Sequence, residues 1–202
     1  MFFPSSEFLK RLEKTKASMI KNNIEVLIIS DPSNMNYLTG YDGWSFYVPQ
    51  GVIINLDFNE PIWFGRKQDA NGAKITTYLS SENIISYSES LIQSPPSHPF
   101  DYVAKIISEK NLSKKTIGVE MDSYYYSAEC HSRLINYLPN ATFKDATLLV
   151  NWIRLIKSDK EIEYMQQASV IVQKGMKKAF ENIKPGVRQC DVAAEIQHAL
   201  LS

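Results

Sequence analysis

The sequence predicts an α/β domain with a mixed sheet and helices on both faces, because helical and strand-like patterns alternate along its first 150 residues. Apolar residues recur at helical spacing from Ser5 to Asn22, and a short continuous apolar strand, Glu25–Ser30, follows them. A third observation is a hairpin pattern, in which two apolar runs flank the polar turn Asp57–Glu60. We expect five or six strands, with the hairpin supplying the antiparallel pair.

The remaining elements of this domain follow from the same patterns. We expect a helical turn at 34–38, hairpin strands at 52–56 and 61–64, a helix at 69–78 and a strand at 83–87. Farther along, we expect helices at 100–111 and 127–138 and strands at 116–120 and 142–144. Residues 94–99 are too rich in proline for either element, and His98 among them is interpreted as a solvated loop histidine.

The character of the chain changes near residue 150, which predicts two domains, 1–150 and 151–202. The second begins with a capping-box pattern at Ser158–Glu161, and the helix that follows extends to about Asn182. Lys184–Val187 ends this helix, and another begins near Asp191. Apolar residues repeat at helical spacing along the first helix, and no sheet pattern follows them. This apolar face predicts a tight oligomer or a missing domain.

Composition excludes several classes of protein. Lysine plus arginine and aspartate plus glutamate both number 22, so no broad basic surface is available for nucleic acid. No apolar run approaches the length of a membrane span, and the N-terminus lacks the pattern of a signal peptide. Cys130 and Cys190 are far apart and match no CxxC pattern, so we interpret them as thiols. We therefore expect a cytoplasmic protein that binds neither membrane nor nucleic acid.

Two neighbouring stretches, Gly40–Gln50 and Trp63–Ala73, are the candidate binding surface. The first presents three aromatic side chains and the second a row of polar ones: Trp44, Phe46 and Tyr47, then Arg66, Gln68 and Asp69. Apolar walls with a few oriented polar groups are typical of sites for small polar ligands. The alternative is a surface loop whose aromatic residues are buried anchors. Elsewhere, Tyr124–Tyr126 is an unusual run of three tyrosines.

Catalytic motifs are absent from the sequence. It contains no phosphate-binding loop, dinucleotide fingerprint, GxSxG or HExxH pattern, and its three histidines are widely separated. Asp42 and Asp69 are candidates for a pair of acids, but both occupy turn or cap positions at which aspartate is common. We therefore predict no catalytic residue and no metal ligand in this chain.

Two motifs resemble the creatinase/prolidase family of "pita-bread" hydrolases. Asn36–Tyr41 resembles the signature of the family's N-terminal domain. Arg154–Ile162, followed by Ala168 and Lys184–Val187, resembles the first two helices of its catalytic domain. The resemblance spans essentially the whole chain and implies a ribonuclease-H-like domain followed by the beginning of a truncated pita-bread domain. Within the family, Gly40–Gln50 and Gly65–Ala73 are most similar to ectoine hydrolases, which open the cyclic amidine of ectoine.

The resemblance also has implications for the site and its cofactors. Creatinases carry a Ser-Phe-Gly-Arg-Pro run that corresponds to Ser45–Pro49; here Phe46 matches, but Val48 replaces the arginine. Valine cannot form the bidentate carboxylate contact of arginine, which disfavours creatine. Arg66 is the alternative cation. The family's catalytic residues lie beyond its first catalytic-domain helices, so no cofactor is expected in this chain, although a peptidase parent would bind two divalent metals.

These observations lead to one main hypothesis and two alternatives. The main hypothesis is the substrate-covering and dimerisation domain of an ectoine-hydrolase-like enzyme acting on a small cyclic amidine or amide C–N bond. The fragment itself is not catalytic, and we expect a homodimer and a small-molecule substrate. One alternative is the N-terminal domain of a metal-dependent Xaa-Pro aminopeptidase or prolidase. The other is a stand-alone binding or assembly module.

Overall fold

A computed structural model describes residues 3–202 of the chain. The chain divides after Leu155 into two compact units, the second of which runs from Ile156 to Ser202. The first unit contains the sheet and most of the helices, and the second is helical. We describe each unit separately.

The first unit alternates helices and strands in the predicted manner. Its helices are α1 (Ser5–Lys21), α2 (Pro32–Thr39), α3 (Lys67–Thr76), α4 (Pro99–Glu109), α5 (Ala128–Tyr137) and α6 (Leu149–Leu155). Its strands are β1 (Val26–Ile29), β2 (Gly51–Asn55), β3 (Ile62–Arg66), β4 (Ile84–Tyr87), β5 (Thr116–Val119) and β6 (Thr142–Asp145). Short 3-10 turns at Ser81–Asn83 and Glu89–Leu91 flank β4.

The six strands form one mixed sheet in the order β4-β3-β2-β1-β5-β6. The hairpin strands β2 and β3 are antiparallel, and β1 pairs antiparallel with β2, matching Ile28 with Ile53. The other pairs, β1 with β5, β5 with β6 and β3 with β4, are parallel. The predicted mixed α/β fold is thus confirmed, with six strands.

Helices cover both faces of the sheet, and the alternation of side chains along β1 shows why. Leu27 and Ile29 belong to one buried cluster, which also contains residues of α1, α2 and α6. Val26 and Ile28 belong to the other, together with residues of α4 and α5. Successive side chains of a strand point to opposite faces, so a strand that is apolar throughout requires cover on both sides.

Three local predictions need correction. The turn expected at 34–38 is the full helix α2, because Asp31 accepts a hydrogen bond from the Asn34 amide at 3.1 Å and caps its beginning. Helix α6 was not predicted. His98 is not a solvated loop residue, since its Nδ1 accepts a hydrogen bond from the Phe100 amide at 3.1 Å and caps α4.

The second unit is a pair of helices, α7 (Asp159–Asn182) and α8 (Gln189–Leu201). Ser158 and Glu161 form the predicted capping box at the beginning of α7. A Cβ atom on Gly175 would lie 2.9 Å from the Leu200 side chain, so a larger residue at this position would require that side chain to shift where α8 packs on α7. Other apolar side chains of α7 remain largely exposed, among them Met165, Val172, Met176 and Phe180. Oligomerisation through this face remains a prediction.

None of the helices in the described part of the chain is long and apolar enough to cross a membrane.

Candidate functional site

The aromatic loop, residues 44–48, lies between the end of α2 and the beginning of β2. Gly40, with φ of 82°, ends α2 in the left-handed conformation, and the chain returns to the sheet at Gly51. Trp44, Phe46 and Tyr47 are 61%, 79% and 61% exposed. These aromatic residues are therefore not buried anchors of the loop within this chain.

Val48 is oriented differently from its aromatic neighbours. It is buried, and its amide donates a hydrogen bond to the Ser45 hydroxyl at 3.2 Å. This local contact closes the loop and leaves Phe46 and Tyr47 on its outer side. The position at which creatinases carry an arginine thus holds a buried aliphatic side chain.

The aromatic loop forms one wall of a cleft of about 230 Å³. The cleft is also lined by the end of β1, the beginning of α2, the segment before α4 and the beginning of α5. Its lining residues are Ser30, Pro32, Met35, Ser45, Phe46, Tyr47, Val48, Pro49, Gln50, Ile92, Gln93, His98, Pro99, Tyr124, Tyr125, Ser127 and Cys130. Phe46 and Tyr47 of the predicted site belong to this lining.

The three consecutive tyrosines contribute to a different part of the lining. Tyr124 is fully exposed, and both it and Tyr125 line the cleft. Tyr126 is buried, with its ring edge-on to Phe100. Trp44, which is not part of the lining, packs edge-on against Tyr125 with ring centroids 6.3 Å apart. The sequence showed this tyrosine run as unusual but gave no signal for its position beside the aromatic loop.

Arg66, Gln68 and Asp69 do not line the cleft. Gln68 is exposed on the first turn of α3. Arg66 Nε donates to Asp69 Oδ2 at 2.9 Å, and this hydrogen bond is the main reason that the pKa of Arg66 is raised. The Arg66 guanidinium is therefore already paired with a carboxylate of its own chain.

Gln50 connects this ion pair to the cleft. It lines the cleft, is 5% exposed, and donates from Nε2 to Asp69 Oδ2 at 2.6 Å. Its carbonyl oxygen Oε1 is buried and has no hydrogen-bond partner in the described part of the chain. The sequence analysis did not single out Gln50, because its buried contact with Asp69 joins residues 19 positions apart.

Tyr41 lies next to the same group of polar residues. Its ring contacts that of Trp63, with centroids 5.2 Å apart. Burial, and to a smaller extent the charge of Asp69, raises the pKa of Tyr41 to about 12. Tyr41 is consequently neutral at physiological pH.

Two titratable groups that line the cleft have shifted pKa values. Burial raises the pKa of the Cys130 thiol, which disfavours the nucleophilic thiolate. Burial, followed by the charge of Arg133, lowers the pKa of His98, whose Nδ1 is occupied as the cap of α4. Within residues 3–202, no group of three histidine, cysteine, aspartate or glutamate side chains is placed to hold a metal ion. The arrangement of these residues supports binding of a small ligand.

Comparison with known proteins gives a consistent family assignment. The model of the Creatinase/Prolidase N-terminal domain matches residues 11–156. The chain is 46% identical over 195 residues to the ectoine hydrolase of Halomonas elongata, covering 96% of this chain and 49% of that protein. It is also 46% identical over 202 residues to an uncharacterized hydrolase/peptidase of Sinorhizobium fredii, covering 100% of this chain and 52% of the relative.

Among solved structures, the chain resembles an Xaa-Pro dipeptidase from Bacillus anthracis, with a TM-score of 0.73. The two are 18% identical, and the match covers 96% of this chain and 49% of that one. At this identity the likeness shows the fold alone. The chain spans about half the length of the curated relatives it matches.

Proposed function

The chain belongs to the Creatinase/Prolidase N-terminal domain family, and from this premise we propose that it is the substrate-covering and dimerising part of a hydrolase that opens a small cyclic amidine or amide C–N bond. The observation that carries the proposal is the exposed aromatic loop beside a ring-sized cleft, in a chain 46% identical to a protein named ectoine hydrolase.

Exposure of the loop supports this role over a purely structural one. Burying a large aromatic side chain contributes roughly 1.5–3 kcal/mol to folding, and Phe46, 79% exposed, obtains little of that within this chain. Exposed aromatic side chains grouped beside a cleft are typical of surfaces that become covered by a ligand or a partner. A cover of this kind excludes water from the bond that reacts and positions the substrate.

The polar residues of the predicted site have a supporting function in this proposal. Arg66 and Asp69 hold Gln50, and a hydrogen bond from Arg66 to the Tyr47 side chain also raises the pKa of Arg66. Gln68 is available at the surface of α3.

The decisive experiment uses a longer protein that contains this chain and the remainder of the hydrolase. We expect hydrolysis of ectoine, and we expect Phe46→Ala to lower kcat/KM about tenfold to a hundredfold, as for loss of roughly 1–3 kcal/mol of transition-state binding. Its melting temperature should remain within a few degrees of the parent. Lys10→Ala, an exposed change on α1, is the matched control.

Three outcomes would contradict parts of the proposal. Hydrolysis of Xaa-Pro dipeptides but not of ectoine would favour the peptidase alternative. Loss of stability in Phe46→Ala, with unchanged activity per folded molecule, would show that the loop is structural. Light scattering tests dimerisation separately, and a monomer at micromolar concentration would contradict that part of the proposal.

A further inference from the structure

The cleft combines an aromatic lining with an absence of charged side chains. Phe46 and Tyr47 line it from the aromatic loop, and Tyr124 and Tyr125 from the segment before α5. Among the described residues, none of those that line it is an aspartate, glutamate, lysine or arginine. His98 is the one histidine of this lining, and burial lowers its pKa, so it adds no charge at neutral pH.

Aromatic rings are not neutral surfaces for a cation. The face of a phenyl or phenol ring carries a negative partial charge, which attracts an organic cation within about 6 Å of the ring centre. Such contacts are strongest where water is excluded. The cleft is about 230 Å³, below the roughly 300–1,000 Å³ of pockets for drug-sized ligands, so it suits a ligand the size of one ring.

The unpartnered carbonyl oxygen of Gln50 is an independent observation. A buried acceptor without a donor costs free energy, so such atoms in native proteins call for an explanation. The orientation of the Gln50 amide follows from its contact with Asp69, because only the NH₂ end can donate to a carboxylate at 2.6 Å. The free end is therefore the acceptor, and it has neither an N–H nor an O–H donor among the described residues.

Asp69 strengthens this acceptor. A carboxylate that accepts from one end of an amide polarises it, which increases the negative charge on the carbonyl oxygen at the other end. Arg66 fixes the Asp69 carboxylate at 2.9 Å, so the chain of contacts from Arg66 through Asp69 to Gln50 is ordered. The aromatic lining and the polarised acceptor share one preference, a flat cation that carries N–H groups.

We propose that this cleft binds an amidinium-type cation, with Gln50 Oε1 accepting an N–H hydrogen bond and with Phe46, Tyr47 and Tyr125 contacting the faces of the cation. This inference rests on the proposed function and specifies which edge of the substrate the N-terminal domain recognises. Gln50 is thus a specificity-determining residue, and Arg66 and Asp69 are positioning residues that act through it.

The test is an NMR titration of the 202-residue chain with three ring-sized probes. Benzamidinium carries both the charge and the N–H groups, benzamide has the same shape without the charge, and phenyltrimethylammonium carries the charge without N–H. We expect benzamidinium to bind at least about tenfold more tightly than either of the others, the scale of one hydrogen bond to a charged group. Resonances of Gln50 and Phe46 should shift.

Variants identify the acceptor. Gln50→Leu should weaken the binding of benzamidinium about tenfold. The affinity for phenyltrimethylammonium should change by less than about twofold, because only benzamidinium can donate an N–H hydrogen bond to the Gln50 acceptor. Gln166→Leu, an exposed change on α7, is the matched control and should leave the affinities for both probes unchanged. If Gln50→Leu does not fold, Asp69→Asn serves instead and should weaken benzamidinium about threefold through loss of polarisation.

Three results would overturn the inference. They are equal binding of benzamide and benzamidinium, full binding of benzamidinium by Gln50→Leu, and no binding of any probe in the cleft. None of these bears on hydrolysis of ectoine by the longer protein, so failure of this inference is distinguishable from failure of the proposed function. Hydrolysis without recognition by Gln50 would assign recognition of the amidine to the rest of the enzyme.

Discussion

The two stretches that the sequence singled out each carry a tryptophan and a phenylalanine, and the structure uses them in opposite ways. In the aromatic loop, Trp44 and Phe46 are exposed. In β3, Trp63 and Phe64 are fully buried, one in each of the two clusters that cover the faces of the sheet. The same residue types thus stabilise the fold in one stretch and remain available for contact in the other.

The difference arises from the backbone. Strand β3 lies inside the sheet, paired with β2 on one side and with β4 on the other. Its successive side chains enter the two buried clusters on opposite faces of the sheet. The aromatic loop belongs to neither α2 nor β2, and its one inward side chain is Val48. Composition predicts aromatic content, whereas pairing within the sheet decides which aromatic residues are buried.

The largest expected effect on stability comes from replacing a tryptophan with alanine, and each of the two stretches offers one tryptophan for this comparison. Trp63→Ala should lower the free energy of unfolding by about 3–5 kcal/mol, because a fully buried indole is removed and a cavity remains. Trp44→Ala should change it by less than about 0.5–1 kcal/mol. Urea unfolding followed by circular dichroism measures both. Similar losses for the two variants would show that the loop is part of the core after all.

A second prediction uses Tyr41, which joins the stretches by packing on Trp63. Burial raises its pKa from 10.0 to about 12, so the folded state favours the protonated phenol. The resulting stability is fully present below about pH 10 and is lost as pH rises through about 12. A difference of about two pKa units between the unfolded and folded states corresponds to about 2–3 kcal/mol of folding stability.

Tyr41→Phe should therefore flatten the decline of unfolding free energy between about pH 10 and pH 12. Other buried tyrosines, among them Tyr87 and Tyr126, also have raised pKa values, so the measured quantity is the difference in slope between wild type and variant. Tyr124→Phe, at a fully exposed position, is the matched control for removal of a phenol hydroxyl. An unchanged slope in Tyr41→Phe would contradict the assignment.

The smallest expected effect concerns the polar link between the stretches. Asp69→Asn should lower the free energy of unfolding by about 1–2 kcal/mol, since it weakens the hydrogen bonds from Arg66 and Gln50 at a partly buried position. Asp42→Asn, the same change at an exposed position in the first stretch, should remain within about 0.5 kcal/mol. Equal effects in thermal unfolding would show that the link is not stabilising.

By itself, the sequence determined the alternation of elements, the hairpin at residues 57–60, the capping box at Ser158 and the family. These are local signals, because hydrophobic periodicity and capping residues lie within a few positions of one another. The same local reasoning underestimated α2 and did not identify α6. The six-residue site, the domain boundary after residue 150 and the homodimer remain predictions.

Only the tertiary structure decided which of the candidate residues face the cleft. It placed Phe46 and Tyr47 beside Tyr124 and Tyr125, and it paired Arg66 with Asp69 away from that lining. It also brought Gln50 into the site through a contact across 19 residues. The physical reason is that loops and helix ends meet according to strand order and crossover connections, which side-chain periodicity within one segment does not encode.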